Sequence, residues 1–174
     1  MKKVLLSAVV ISALLACGTK TESTSSSTAS TTVPTEAFGY TLSSSENINT
    51  VKKALEAGAN SDTATFKTLY ADTATIYDNR NKLTVAENMK MADFFKSKGV
   101  TMKIESINDI WETVGFKEDE RSFKHYVNVY FDATFFKGTQ KSTVRINAVF
   151  AFKDGKIVRE WDTYDTAPVA EFLK

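Results

Sequence analysis

Two periodicities divide this chain. Up to Gly99 apolar residues recur at three- and four-residue spacings, and after it they alternate with polar ones, a change from a helical to a strand period. "SENINTVKKALEAG" places Ile48, Val51 and Leu55 on one side of an amphipathic helix that ends at Gly58. "SDTATFKTLYA" predicts a second, short helix capped by Ser61, with Phe66, Leu69 and Tyr70 on one side. "DTATIYD" reads as a short strand and "DNRN" as a turn. In "TVAENMKMADFFKSKG" Thr84 and Glu87 have capping-box spacing, Met91, Phe94 and Phe95 give an apolar side, and Gly99 stops the helix. Four long strands follow: Val100 to Val114, Ser122 to Phe136, Lys141 to Phe152 and Lys156 to Tyr164. The turns between them are "KEDE", "KGTQ" and "KDGK", and Asp154-Gly155 is the sharpest hairpin signal. Helices first and an antiparallel meander afterwards predict an α+β domain whose helices cover one sheet face, with a short helix after the last strand.

The first residues follow neither period. "MKKVLLSAVVISALLAC" has Lys2 and Lys3, then an apolar run from Val4 to Ala16 that is short for a bilayer span and fits a signal-peptide core. Its end, Leu14-Leu15-Ala16-Cys17, resembles the bacterial lipobox. That resemblance implies cleavage before Cys17 and its lipidation, hence a membrane-anchored lipoprotein of the bacterial cell envelope; Gly18 after the cysteine fits sorting to the outer membrane. Residues 18–44 are expected to form a Ser/Thr-rich disordered tether with a reach on the order of 30 Å. Within it Phe38 and Tyr40 are suited to docking on the domain edge. The organisation expected is a signal peptide over 1–17, the tether over 18–44 and one domain over 45–174.

Composition narrows the chemistry. Net charge is +1, falling to −1 once Lys2 and Lys3 are removed, with no basic run in the body of the chain; nucleic acid is not expected as a partner. One cysteine excludes a disulfide framework and a cysteine metal cluster, and one histidine, His125, excludes a multi-histidine metal site. His125 reads as an ordinary strand residue. There is no Gly-x-Ser-x-Gly elbow and no Gly-rich phosphate loop, so neither a cofactor nor a metal is expected.

The last strand, in "KDGKIVREWDTYDTAP", carries bulk and charge on both faces. Plain alternation sets Ile157, Arg159, Trp161 and Thr163 against Val158, Glu160, Asp162 and Tyr164. "DGKIVREWDTYDTAP", together with "YADTATIYD" after the second helix, resembles the SnoaL-like domains of the nuclear transport factor 2-like superfamily. The resemblance covers about Ile48 to Leu173. It implies a cone-shaped curved antiparallel sheet wrapped around three N-terminal helices, a short C-terminal helix, a pocket inside the cone and an outer face that forms homodimers. Counted from Gly155-Lys156-Ile157, Asp162 falls where the related limonene epoxide hydrolase keeps a catalytic aspartate. "YVNVYFDA" on a neighbouring strand lacks the arginine of that enzyme.

Asp162 is therefore the candidate catalytic acid, with Glu160 and Tyr164 sharing its face. By the same parity Thr75 and Tyr77, and the polar-aromatic row Tyr126, Asn128, Tyr130 and Asp132, are the expected ligand-binding wall. The leading expectation is a lipoprotein domain that binds a small, largely apolar ligand in its cone. The alternatives are an acid–base enzyme (isomerase, cyclase or hydratase) centred on Asp162, and an envelope protein-interaction module.

Overall fold

The computed structural model describes residues 39–115 and 123–173. The signal peptide, Cys17, the tether up to residue 38 and the "KEDE" turn lie outside the described residues.

The first described element is a strand, β1 (Gly39–Leu42), antiparallel to the end of a long strand, β4 (Val100–Gly115). It falls inside the stretch assigned to the tether, so the ordered chain begins before Ser45. Gly39 is required there, because an added Cβ would meet the Val114 carbonyl oxygen at 2.2 Å. Helix α1 (Glu46–Ala59) is capped by the Ser45 side chain, which accepts from the Ile48 amide at 3.1 Å. It buries Ile48, Val51, Ala54 and Ala57, one stripe at helical spacing.

Helix α2 (Thr63–Leu69) is capped by Asp62 and not by the expected Ser61. The Asp62 carboxylate accepts from the Thr65 amide, while Ser61 takes a left-handed conformation (φ 54°) that turns the chain between the helices. A hairpin follows, β2 (Tyr70–Asp78) and β3 (Asn81–Thr84), the second strand of which has too few apolar residues to show a period. Helix α3 (Val85–Ser97) has the predicted capping box in full: Glu87 accepts from the Thr84 amide at 2.8 Å and Thr84 accepts from the Glu87 amide at 3.2 Å. Its inward side is Met89 with Phe95, which packs on Phe135. Phe94, expected on that side, is 48% exposed beneath the Lys98 ammonium.

Strands β5 (His125–Lys137), β6 (Gln140–Lys153) and β7 (Lys156–Thr163) complete a curved, unclosed seven-stranded sheet in the order β1-β4-β5-β6-β7-β2-β3. Every pair is antiparallel except β2 with β7, which run parallel and bring the helical half of the chain against the last strand. The α+β cone and the four long strands stand as predicted. A short helix, α4 (Ala167–Ala170), and a 3₁₀ turn, Glu171–Leu173, close the chain, with the Asp165 carboxylate accepting from the Ala167 amide.

The concave face carries Val127, Val129, Phe131 and Ala133 of β5, Ile146, Ala148, Phe150 and Phe152 of β6, and Ile157 of β7, all buried against α1 and α2. At the β1 edge a second knot forms around Glu112, which is buried. It accepts from the Asn47 amide group at 2.7 Å and pairs with His125 Nδ1 at 2.7 Å, fastening α1, β4 and β5 together.

Side-chain alternation fails once on β7. Phe152 pairs with Ile157 and Ala151 with Arg159, so Val158 is an extra residue, a β-bulge. Ile157 therefore shares the concave face with Glu160 and Asp162, while Arg159 and Trp161 face outward. The expected grouping of Ile157 with Arg159 and Trp161 is corrected by that one residue. Deleting Val158 should force the strand either to slip, turning Arg159 and Trp161 into the core, or to unpair. We expect a loss of at least about 3 kcal/mol in urea unfolding, against about 1 kcal/mol for Val158→Ala. Equal losses for the two would show that the bulge does not set the register.

Candidate active site

A cavity of about 460 Å³ lies between the concave sheet face and the helices. Its walls are mostly apolar, with Phe66 from α2, Phe95 and Met91 from α3, and Phe131, Phe135 and Phe150 from the sheet. Three carboxyl groups interrupt them, all from the parallel β2–β7 pair. The register sets Ile76 beside Glu160 and Asp78 beside Asp162. Adjacent strands are about 4.8 Å apart, so Asp78, Glu160 and Asp162 form one acidic patch.

Two tyrosines complete the patch. Tyr70, at the turn from α2 into β2, is buried with its ring stacked on Phe66 at 4.5 Å. Its hydroxyl donates to Glu160 Oε2 at 2.5 Å. Tyr164, just past β7, lines the same wall beside Asp78, whose charge helps to raise its phenol. The backbone holds these groups in place: the Asn79 amide donates to the Asp162 carbonyl at 2.9 Å, and Asn79 Oδ1 accepts from the Tyr164 amide at 3.2 Å.

Burial decides the protonation of this group. Removal from water pushes Glu160 up to about 7, against the opposing pull of the hydrogen bonds it accepts from Tyr70 and Asp162. Asp162 is raised well above the ordinary carboxylate range, first by burial and then by the charge of Glu160. Two adjacent acids in an apolar wall cannot both ionise cheaply, so the pair keeps at least one proton at neutrality, and its titration belongs to the pair. Glu160 accepts from both neighbours, and Asp162 is the donor. Burial and the nearby carboxylates likewise raise Tyr70 and Tyr164, which stay protonated donors.

Of the residues singled out in the sequence, Asp162, Glu160 and Tyr164 line the cavity. The others do not. Thr75 and Tyr77 pair with Arg159 and Trp161, and so lie on the convex face. Tyr126, Asn128, Tyr130 and Asp132 alternate with the buried Val127, Val129, Phe131 and Ala133, and are convex as well. There Tyr77 and Tyr126 both stack on Trp161, at 6.1 and 6.5 Å, and Tyr130 stacks on Trp111. Asp132 forms a two-point ion pair with Arg145, at 2.9 and 3.1 Å, and with help from Asn108 its pKa falls to about 2. The row is on the wrong side because the cavity shares its wall with the core: the apolar alternates, Phe131 and Phe135, are the residues that face it. Sequence reading missed Asp78 and Tyr70. Asp78 was within reach, since it has the parity of Ile76, an obvious core position.

The pH dependence of stability follows from the pair. The folded value of Glu160, about 7, lies above its ordinary 4.5, so the native state keeps a proton that the unfolded chain releases. That contribution is complete below about pH 4.5 and is lost as pH rises to about 7. Asp162 acts in the same direction. We expect unfolding free energy to fall across this window by on the order of 3 kcal/mol, and Glu160→Gln to flatten the fall. The same slope in wild type and variant would place its origin elsewhere.

No family model matches the chain, and no curated protein matches it in sequence. Solved structures do match in fold. An LEH-like epoxide hydrolase from M. tuberculosis superposes with a TM-score of 0.55 at 18% identity, over 74% of this chain and 89% of that one. An NTF2-like protein from Burkholderia xenovorans gives 0.54 at 14% identity, over 74% and 96%. A protein of Shewanella putrefaciens named as a SnoaL-like polyketide cyclase gives 0.53 at 14% identity, over 75% and 86%. The order of elements, the cone of the sheet and these superpositions agree: the chain shares the cone-shaped α+β fold of these NTF2-like and SnoaL-like structures.

Proposed function

We propose that this is a lipid-anchored acid–base enzyme that moves a proton on a small, largely apolar substrate held in the cone. The adjacent carboxyl groups of Glu160 and Asp162, on one face of β7 and both lining the cavity, carry the reading. Burying Glu160, with Asp162 half-buried beside it, costs stability, and strongly perturbed acids in a cleft mark functional sites. A cavity serving binding alone needs no such pair, and an interaction module needs no cavity of this volume.

In this reading Asp162 gives its proton to the substrate as general acid. Glu160, held by Tyr70, is the base that takes a proton from a second substrate atom, and the pair is restored when the shared proton returns. Isomerisation, cyclisation and hydration all need that exchange. Asp78 is the neighbouring group that keeps negative charge close and so holds the pair's proton on. Epoxide opening in the manner of the hydrolase neighbour is disfavoured, because no arginine lines the cavity among the described residues; Arg159 lies over the rings of Phe123 and Trp161 on the other face.

The test is to incubate the purified chain in heavy water with hydrophobic ketones, enones and imines, following deuterium uptake and product formation by mass spectrometry. Catalysis should show a titration near neutrality. Asp162→Asn and Glu160→Gln should each lower the rate by about 10²–10⁴-fold with folding retained. Rates in these variants equal to wild type would overturn the assignment.

The anchor is proposed from the lipobox-like Leu14 to Cys17. Lipidation at Cys17 holds the domain at the bacterial envelope, with outer-membrane placement suggested by Gly18. In cells labelled with radioactive palmitate, Cys17→Ser should lose the label and leave the membrane fraction or stall in processing. Label and partition both unchanged would refute it.

A further inference from the structure

We propose that the ligand of this cavity carries a basic nitrogen, bound as a cation against Glu160 and Asp162, with its apolar body running along the phenylalanine walls. The inference rests on the cavity being the functional site and adds the class of head group.

The polar groups of the acidic patch are Asp78 and Tyr70 from β2, Glu160 and Asp162 from β7, and Tyr164 beyond it. All five are acids. The one cationic side chain on the wall among the described residues is Lys96 of α3, which is exposed to solvent and screened by it. What acts on the protons of Glu160 and Asp162 is burial together with Tyr70, Asp78 and one another, with no cation among the causes.

A pair that shares one proton retains one negative charge, and a buried charge without a counter-ion is costly. An anionic head group would add a second negative charge in a low-dielectric wall, where like charges repel most strongly. A neutral head leaves the first charge unbalanced. A protonated amine or iminium balances it, and Phe66, Tyr70 and Phe150 line the same wall, aromatic neighbours of the kind that favour organic cations. One charge to hold the ligand and one proton to give it are both present, so cation binding and acid–base chemistry use the same pair without conflict.

Three rigid probes with one shared body test this: adamantylamine, adamantanol and adamantane carboxylate, titrated calorimetrically into the purified full chain. The amine should bind at least about tenfold more tightly than the alcohol, and the carboxylate not at all. As pH falls from about 8 to about 5 the pair takes up its second proton, and the preference for the amine should shrink toward none. This pH series needs no variant. In the double variant Glu160→Gln with Asp162→Asn the preference for the amine over the alcohol should vanish. An alcohol that binds as tightly as the amine, or an amine preference unchanged at low pH, overturns the cationic head and leaves the cavity reading standing. Binding of none of the three overturns both.

Discussion

Beyond Val158 every side chain of β7 sits on the face opposite to the one that plain alternation from Ile157 would give it. The whole molecule is organised around that displacement. Ile157 has to be inside to close the core against Phe152 and Tyr70, and Glu160 and Asp162 have to be inside to meet Tyr70 and Asp78. Without an extra residue a strand presents positions of unlike parity to opposite faces. The bulge lets one short strand serve the packed part of the cone first and the chemically active part next. Its partner β2 is irregular too, between Tyr70 and Thr75, so the strand pair changes register as a unit.

The placement of the acids on a parallel pair has its own effect. In an antiparallel hairpin the ends of two strands carry different environments, one near a turn and one near an opening. In β2 and β7 both chains arrive at the acidic patch in the same direction, and both leave it through short connections, Asn79 on one side and Tyr164 on the other, which bond to each other. The carboxyl groups are thus held on the regular ladder rather than on loops. That is the arrangement a proton-transfer site requires, since proton transfer is sensitive to small errors in donor–acceptor distance.

Legibility in the sequence followed the strength of the local signal. Thr84 with Glu87, and Gly99 fifteen residues after Thr84, have a direct stereochemical reading and were found in place. The four long strands declared themselves by period. The short strands β1 and β3 did not, because four residues of mixed polarity carry no period. Adjacent caps at Ser61 and Asp62 cannot be told apart by residue preference, since both types cap well and the choice lies in which residue takes positive φ. The active face was partly legible. Asp162 was reached through the family resemblance, aligned from Gly155-Lys156-Ile157, and its face brought in Glu160 and Tyr164, which line the same cavity. The row on β5 was misplaced because a ligand wall was sought among polar alternates, whereas the cavity is carved out of the core itself and inherits its apolar lining. A bulge, finally, is a property of two strands, and a single strand's sequence does not announce which residue will lack a partner.

Both tryptophans ended on the convex side, Trp111 stacked with Tyr130 and Trp161 between Tyr77 and Tyr126. The cavity is lined by phenylalanine and tyrosine instead. The two faces of the sheet are therefore optically separate. Direct contact quenching of indole emission reports what touches the outside of the cone, whereas a ligand inside meets phenol and phenyl rings first and reaches the indoles only through the field and energy transfer across one sheet.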